Sequence, residues 1–122
     1  MEKKIKILFV EDSELDFELA KDILKSENIH FESALVETEA DFSHKLKHFR
    51  PDIVITDYSM PSFDGMKAMQ LAKAFDSQLP VIILTGSVSE EIAVECMRLG
   101  ANNYVLKENM TLDDSETLTK IL

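Results

Sequence analysis

The 122 residues are enough for one domain with its own hydrophobic core, and the single cysteine, Cys96, excludes an internal disulfide framework. No apolar run approaches the roughly 18 residues that a membrane span needs, and no secretory signal pattern is present, so we expect a cytoplasmic protein. The net charge of −10 disfavours direct binding to nucleic acid, because such binding depends on cationic contacts to phosphates.

The first third of the chain predicts a strand, a helix and a second strand. Residues Ile5 to Val10 (IKILFV) form a nearly continuous apolar run, which is typical of a strand covered on both faces in a parallel sheet. Ser13, followed three residues later by Asp16, resembles a capping box at the start of a helix. The apolar positions predicted for this helix are Leu15, Leu19, Ile23 and Leu24. Residues 30–36 then predict the second strand.

The same alternation continues to the end of the chain. The remaining predicted helices cover residues 39–48, 65–75, 89–99 and 113–122, and the remaining predicted strands cover residues 52–57, 81–84 and 104–106. Pro51 ends the second helix, Pro80 opens the fourth strand, and Gly100 ends the fourth helix. Five βα units predict an α/β fold with a five-stranded parallel sheet, doubly wound with helices on both faces. No linker or repeat interrupts them, so we predict one domain, residues 1–122.

Polar side chains stand at the ends of four predicted strands, and a parallel sheet brings those ends to one edge. They are Glu11 and Asp12 after the first strand, Asp57 at the end of the third, Thr85 and Gly86 after the fourth, and Lys107 after the fifth. Ligands of such folds gather at the carboxyl ends of the strands. We therefore expect three carboxylates, a hydroxyl and an ammonium group in one pocket.

A pocket of this composition predicts a magnesium site with a nucleophilic carboxylate. Crowded carboxylates are tolerable only with cations nearby, and Lys107 supplies only one positive charge. Mg²⁺ prefers oxygen ligands and is typically held by carboxylates together with phosphate oxygens, whereas zinc is disfavoured because no Cys or His is near. A carboxylate there is equipped to attack phosphorus in line and become an aspartyl phosphate. Asp57 is the better nucleophile candidate, since Glu11 and Asp12 form the acidic pair that a metal needs.

These residues, in this order, resemble the response regulator receiver domain of two-component signalling over essentially the whole chain. The matching features are Glu11-Asp12, Asp57-Tyr58-Ser59-Met60-Pro61 with Asp64-Gly65, Thr85-Gly86, and Gly100-Ala101 leading to Tyr104-Val105-Leu106-Lys107. The resemblance implies the flavodoxin-like strand order 2-1-3-4-5. It also implies a phospho-acceptor switch, with at most self-catalysed phosphorylation and dephosphorylation, instead of an enzyme that turns over a substrate.

The resemblance implies how the phosphoryl group and the metal would be held. Asp57 would accept the phosphoryl group from a histidine kinase or a phosphotransfer protein. The implied ligands of Mg²⁺ are Asp12, Asp57, the backbone carbonyl of Ser59 and, through a water, Glu11. The input partner is therefore a protein that carries a phosphohistidine.

The resemblance also implies the anion cradle and the switch. Lys107 and the hydroxyl of Thr85 would contact the phosphoryl oxygens, and the N–H groups of Ser59 and Gly86 would complete the cradle. Tyr104 would swing inward and couple the movement of Thr85 to the surface of helix four, strand five and helix five. That surface would act on a downstream output domain or protein, and a homodimer through it is compatible with the resemblance.

Two positions depart from the family's usual pattern. Glu11 stands where Asp is commoner, and its longer side chain still reaches a metal-bound water. Glu108 follows Lys107 where the family usually has a proline preceded by a cis peptide. A cis bond before a non-proline residue costs roughly 2.5–4 kcal/mol, so we expect a trans bond and an altered loop here.

Several alternatives stay open. An aspartate-based phosphatase or phosphotransferase commonly carries a second Asp two residues after its nucleophile, where this chain has Ser59, and an FMN carrier needs a phosphate-binding loop where this chain is acidic. A receiver module of a hybrid sensor kinase or other multidomain regulator, and a receiver-like adaptor that is never phosphorylated, are further alternatives. His44 and His48 have the spacing of a metal-binding pair, but no third ligand is visible and a solvated helix face is the simpler interpretation.

Overall fold

The computed structural model describes residues 4–58, 63–85 and 90–106, in which strands and helices alternate as predicted. In chain order the elements are β1 (Ile5–Val10), α1 (Glu14–Ser26), β2 (Phe31–Val36), α2 (Glu39–His48), β3 (Ile53–Asp57), α3 (Gly65–Phe75), β4 (Val81–Thr85), α4 (Glu90–Arg98) and β5 (Asn103–Leu106). Their ends agree with the prediction to within one residue. The predicted fifth helix, residues 113–122, lies outside the described residues. None of the helices described here is long and apolar enough to cross a membrane.

The five strands form one parallel sheet in the order β2-β1-β3-β4-β5. This confirms the predicted fold class and strand order. In the pairing of β1 with β3, Val10 lies opposite Thr56, and in the pairing of β3 with β4, Asp57 lies opposite Leu84. The carboxyl ends of the three central strands are therefore level with one another at one edge of the sheet.

The core lies on both faces of the sheet. Ile7 and Phe9 of β1 pack on the side of α1, whereas Leu8 and Val10 pack on the side of α2 and α3. The buried helix residues on these two sides are Ala20, Ile23 and Leu24 of α1, Phe42 and Leu46 of α2, and Ala68, Met69 and Ala72 of α3. Because successive residues of a strand point to opposite faces, a strand buried on both faces has a continuous apolar sequence.

The apolar face of α1 differs from the prediction at Leu15. Ile23 and Leu24 are fully buried, but Leu15 is 78% exposed, so the prediction that it belongs to the core is wrong. Phe17 packs in its place, with its ring 5.0 Å from the ring of Phe9 in an edge-on contact. Leu15 stands two residues before Phe17, about 200° away around the helix, and therefore faces solvent.

Side chains and special backbone angles fix where the helices begin and end. The N-cap hydrogen bonds run from Asp16 N to Ser13 Oγ, from Asp41 N to Thr38 Oγ1 and from Lys67 N to Asp64 Oδ1. The N-cap predicted at Ser13 is thus confirmed. Gly100, with φ of +119°, follows α4, and the next N–H, that of Ala101, donates to Cys96 O at 3.0 Å. This is the Schellman geometry that glycine favours, and it confirms the predicted end of the fourth helix.

Lys73 ties α3 to the start of β4 and to the loop before β5. Its Nζ donates to Leu79 O at 2.8 Å and to Asn102 Oδ1 at 3.0 Å. Asn102 Oδ1 also accepts from Val81 N at 2.9 Å, and Asn102 N donates to Val81 O at 2.8 Å. These bonds hold the first residue of β4 beside the residue that precedes β5.

Candidate functional site

Three acidic side chains meet at the carboxyl edge of the sheet. Asp57 is the last residue of β3, and Glu11 and Asp12 follow β1 directly. Because β1 and β3 are neighbours, with Val10 opposite Thr56, the residues after these strands lie side by side. One carboxylate oxygen from each of the three acids lies within 4.8 Å of the other two. The structure thus brings together the three carboxylates that the sequence analysis placed in one pocket.

The three carboxylates differ in exposure. Glu11 is 3% exposed and Asp57 is 5% exposed, whereas Asp12 is open to solvent. Oε2 of Glu11 accepts hydrogen bonds from Asp12 N at 3.1 Å and from Ser13 N at 3.2 Å, just before α1 begins. These N–H groups and the positive end of the helix dipole stabilise the charge of Glu11. The cluster therefore has a fixed buried side and an open side at Asp12.

The backbone around Asp57 is fixed by three hydrogen bonds. The hydroxyl of Thr56 is fully buried and donates to Asp57 O at 3.0 Å. Tyr58 N donates to Leu84 O at 3.2 Å, and Gly65 N donates to Tyr58 O at 2.9 Å. In the sequence, Thr56 is one residue of the predicted strand 52–57, and no sequence signal identifies its hydroxyl as a support for the backbone of Asp57.

Gly65 lets the start of α3 approach the end of β3 closely. A Cβ atom on Gly65 would lie 2.6 Å from Asp57 O and 2.7 Å from Tyr58 Cα, closer than the 3.0 Å below which real Cβ atoms essentially never come. A side chain at this position would have to displace the backbone that carries Asp57. The sequence predicts Gly65 as the first residue of a helix, whereas its close approach to β3 depends on a tertiary contact and has no local signal.

The other predicted site residues divide into two groups. Thr85 is the last residue of β4, where its backbone pairs with Leu106 of β5. Tyr104 lies on β5 with its side chain 39% exposed, which is an outward position. Ser59, Gly86, Lys107 and Glu108 lie outside the described residues. Their predicted roles, and the expected trans bond before Glu108, stay predictions.

The chemistry of the donor set fits a hard divalent cation. The three ligand atoms are carboxylate oxygens, which Mg²⁺ and Mn²⁺ prefer. Oxygen ligands of Mg²⁺ lie about 2.0–2.1 Å from the ion, so two on opposite sides are about 4.2 Å apart, close to the spread of this cluster. Within residues 4–58, 63–85 and 90–106 this is the one group of three or more acidic, His or Cys side chains so placed, and it includes neither His nor Cys.

Two weak acids that lie near each other, Tyr58 and Cys96, are kept in their neutral forms. Desolvation raises the pKa of the Tyr58 phenol, and the nearby negative charges of ionised Cys96 and Asp64 would act in the same direction. Burial likewise raises the pKa of the Cys96 thiol. A thiolate is the reactive form of cysteine, so these shifts argue against Cys96 as a nucleophile. Asp57 is the candidate nucleophile by its position at the end of β3, within the carboxylate cluster.

Comparison with known proteins agrees with this geometry. A family described as "Response regulator receiver domain" matches residues 7–121. The chain belongs to this family. The resemblance inferred from the sequence is thereby confirmed, and the receiver domain is a module of two-component signalling.

Two curated relatives are similar to this chain over most of its length. The chain is 34% identical over 118 residues to the protein-glutamate methylesterase/protein-glutamine glutaminase of Caldanaerobacter subterraneus subsp. tengcongensis, covering 92% of this chain and 31% of that protein. It is also 34% identical over 104 residues to Protein CcdB of Bacillus subtilis, covering 84% of each. The chain spans a third or less of the length of several curated relatives, which extend well beyond the receiver domain.

A solved receiver structure has the same fold. The Mn²⁺-bound form of response regulator Rcp1 superposes with a TM-score of 0.79 at 25% identity, covering 96% of this chain and 91% of that one. The likeness extends over the whole sheet and its helices, so the five-stranded parallel architecture is that of the receiver family.

Proposed function

We propose that this receiver, taken as residues 1–122, accepts a phosphoryl group on Asp57 and switches the surface formed by α4, β5 and the predicted fifth helix. The observation that carries the proposal is the approach of three carboxylates within 4.8 Å at the end of the central strands. Asp57 ends β3, between β1 and β4, whereas Glu11 and Asp12 both follow β1. This arrangement separates the acceptor from the acidic pair beside it.

In the proposed reaction, a carboxylate oxygen of Asp57 attacks the phosphorus of a phosphohistidine in line. The new O–P bond forms as the P–N bond breaks, and the imidazole of the donor protein leaves. The bonds from Thr56 and to Leu84 keep the backbone of Asp57 and Tyr58 in place, which supports the positioning that this step requires. By the family's pattern we assign Lys107 and the hydroxyl of Thr85 to the phosphoryl oxygens.

We propose that Asp12, Asp57 and the backbone carbonyl of Ser59 hold the divalent cation directly, and that Glu11 holds it through a water. When bound, Mg²⁺ supplies positive charge that offsets the charge of the phosphoryl oxygens. The two N–H groups that donate to Oε2 of Glu11 hold this carboxylate beside the other two, which supports its place in the site. The similarity to a Mn²⁺-bound response regulator supports a divalent cation in this fold.

The proposed output surface includes side chains that are exposed in this structure. Val94, Met97 and Leu99, on and just after α4, are large apolar residues open to solvent, as is Tyr104 on β5. An inward movement of Tyr104 would change the shape of this surface. We propose that a histidine kinase or phosphotransfer protein supplies the phosphoryl group and that an output domain or protein reads the surface.

The test is incubation of the purified protein with Mg²⁺ and acetyl phosphate, followed by intact mass measurement. We expect one phosphoryl adduct in the wild type, none in Asp57→Ala, and an undiminished adduct in Asp22→Ala, which removes an exposed acid of α1. Chelating the Mg²⁺ should abolish the adduct. Absence of any adduct in the wild type, with Mg²⁺ present, would overturn the proposal in favour of an adaptor that acts by binding alone.

A further inference from the structure

Two imidazole rings lie together on the exposed side of α2, outside the carboxylate cluster. His44 and His48 are four residues apart, both are exposed, and their ring centroids lie 4.3 Å apart with the planes inclined by 31°. The opposite side of the same helix is anchored in the core by Phe42 and Leu46, which are buried. The helix is therefore a fixed platform on which the two rings project into solvent.

The spacing and the ligand type suit chelation of a transition metal. Residues four apart on a helix face the same way, and imidazole nitrogens are the ligands that Zn²⁺, Cu²⁺ and Ni²⁺ favour. A nitrogen–metal bond is about 2.0–2.1 Å long, so two rings with centroids this close need only small rotations to bind one ion between them. The geometry points to a second metal site at His44 and His48, which binds a single divalent transition-metal ion, with water completing its coordination.

The ligand inventory predicts which ions the site prefers. All three histidines and the only cysteine of the chain belong to the part that the structure describes, and no third His, Cys, Asp or Glu within that part shares a 4.8 Å group with the pair. Structural zinc sites use four protein ligands, so a site with two protein ligands favours Cu²⁺ and Ni²⁺. Both ions bind nitrogen ligands strongly, and the affinity is higher for Cu²⁺ than for Ni²⁺. Mg²⁺ prefers oxygen ligands and is expected at the carboxylate cluster instead.

An ion at this site would join the last two turns of α2, since His48 is the final residue of the helix. The unfolded chain does not hold the two rings side by side, so the ion binds the folded protein preferentially and stabilises it by mass action. Loss of either ring converts a chelate into a single-ligand contact, which weakens binding on the order of tenfold or more.

The experiment is a calorimetric titration of tag-free protein with Ni²⁺ in a non-coordinating buffer that contains saturating Mg²⁺, so that the carboxylate cluster is already occupied. We expect one Ni²⁺ per chain in the wild type and at least about tenfold weaker binding in His44→Gln and in His48→Gln. His30→Gln, which removes the histidine outside the pair, is the matched control and should bind as the wild type does. The melting temperature should rise with Ni²⁺ in the wild type and in His30→Gln only.

Three results would overturn the second site: equal Ni²⁺ affinity in His44→Gln and the wild type, loss of binding in His30→Gln, or a stoichiometry of half an ion per chain, which would mean a bridge between two molecules. Circular dichroism of each variant confirms folding, which the exposure of the replaced rings favours. Acetyl phosphate labelling of Asp57 should be the same in all three variants, so a failure of this site and a failure of the proposed function are separate results.

Discussion

Replacement of Asp57 by asparagine should make the metal-free protein more stable, because it removes one of three crowded negative charges. Glu11 and Asp57 are both almost fully buried, and their carboxylate oxygens lie within 4.8 Å of each other. At that distance and an effective dielectric constant of 20, the repulsion of one pair is about 3.5 kcal/mol. Solvent around Asp12 and the N–H groups that donate to Glu11 weaken the repulsion. We therefore expect Asp57→Asn to raise the free energy of unfolding by about 1–3 kcal/mol.

The measurement is urea unfolding of the wild type and Asp57→Asn, in EDTA and again in millimolar Mg²⁺. Without metal, the variant should unfold at a higher urea concentration, and its melting temperature should be higher by about 3–6 °C per kcal/mol. Mg²⁺ should stabilise the wild type more than the variant, because the ion binds the folded cluster, and the difference should shrink or reverse. Asp22→Asn, an exposed change on α1, controls for the altered net charge.

The electrostatic reasoning would be refuted by one result in particular. In EDTA, Asp57→Asn should not unfold at the same urea concentration as Asp22→Asn, or at a lower one than the wild type, if the reasoning holds. Either result would mean that the three carboxylates do not repel one another in the folded protein. The cluster would then need no cation, and the fit of the donor set to Mg²⁺ would lose its physical basis.

Four further predictions concern the surroundings of the site. Gly65→Ala should lower the free energy of unfolding by about 1–3 kcal/mol in urea, since its Cβ would meet backbone at 2.6 Å, and equal stability would contradict that close approach. Cys96, 1% exposed, should react with an aromatic disulfide far more slowly in buffer than in urea. Burial raises the pKa of the Cys96 thiol, so the unfolded chain loses this proton at a lower pH than the folded protein does. The free energy of unfolding should therefore fall as pH rises through about 8.5. It should fall less steeply with pH in Cys96→Ala, and the same pH dependence in both proteins would contradict this prediction. Ser13→Ala should lower the free energy of unfolding by about 1 kcal/mol through loss of the N-cap, whereas Ser13→Thr should keep most of that stability. Urea unfolding is again the measurement, and an unchanged stability of Ser13→Ala would show that the cap is dispensable.

The parts of this protein that sequence alone could predict are those governed by local rules. The apolar run of β1 predicts two-sided burial, Gly100 predicts the end of α4, and the order of strand ends places Glu11 and Asp57 at one edge once the sheet is parallel. Each of these inferences uses neighbours in sequence or a general property of parallel sheets. They needed no knowledge of which side chain touches which.

The parts that sequence could not predict depend on contacts between distant segments. Leu15 and Phe17 are both apolar, and only the docking of α1 on the sheet decides that Phe17 is the residue that packs. The hydrogen bond from Lys73 to Asn102 joins residues 29 positions apart. None of these features has a local pattern that would mark it.

The position of Asp57 beside Glu11 depends on the register between β1 and β3. Alternating polar and apolar residues normally fix the register of a strand, but both strands here are apolar on both faces, so this signal is weak. Two hydrogen bonds between Lys6 and Asp52, at the other end of the strands, help to fix the register instead. Lys6 N donates to Asp52 Oδ2 at 2.9 Å, and Asp52 N donates to Lys6 O at 2.7 Å. A slip of one residue would break both bonds and move Asp57 by about 3.3 Å along the strand, away from its partners. Asp52, exposed and outside the site, therefore contributes to the geometry of the carboxylate cluster.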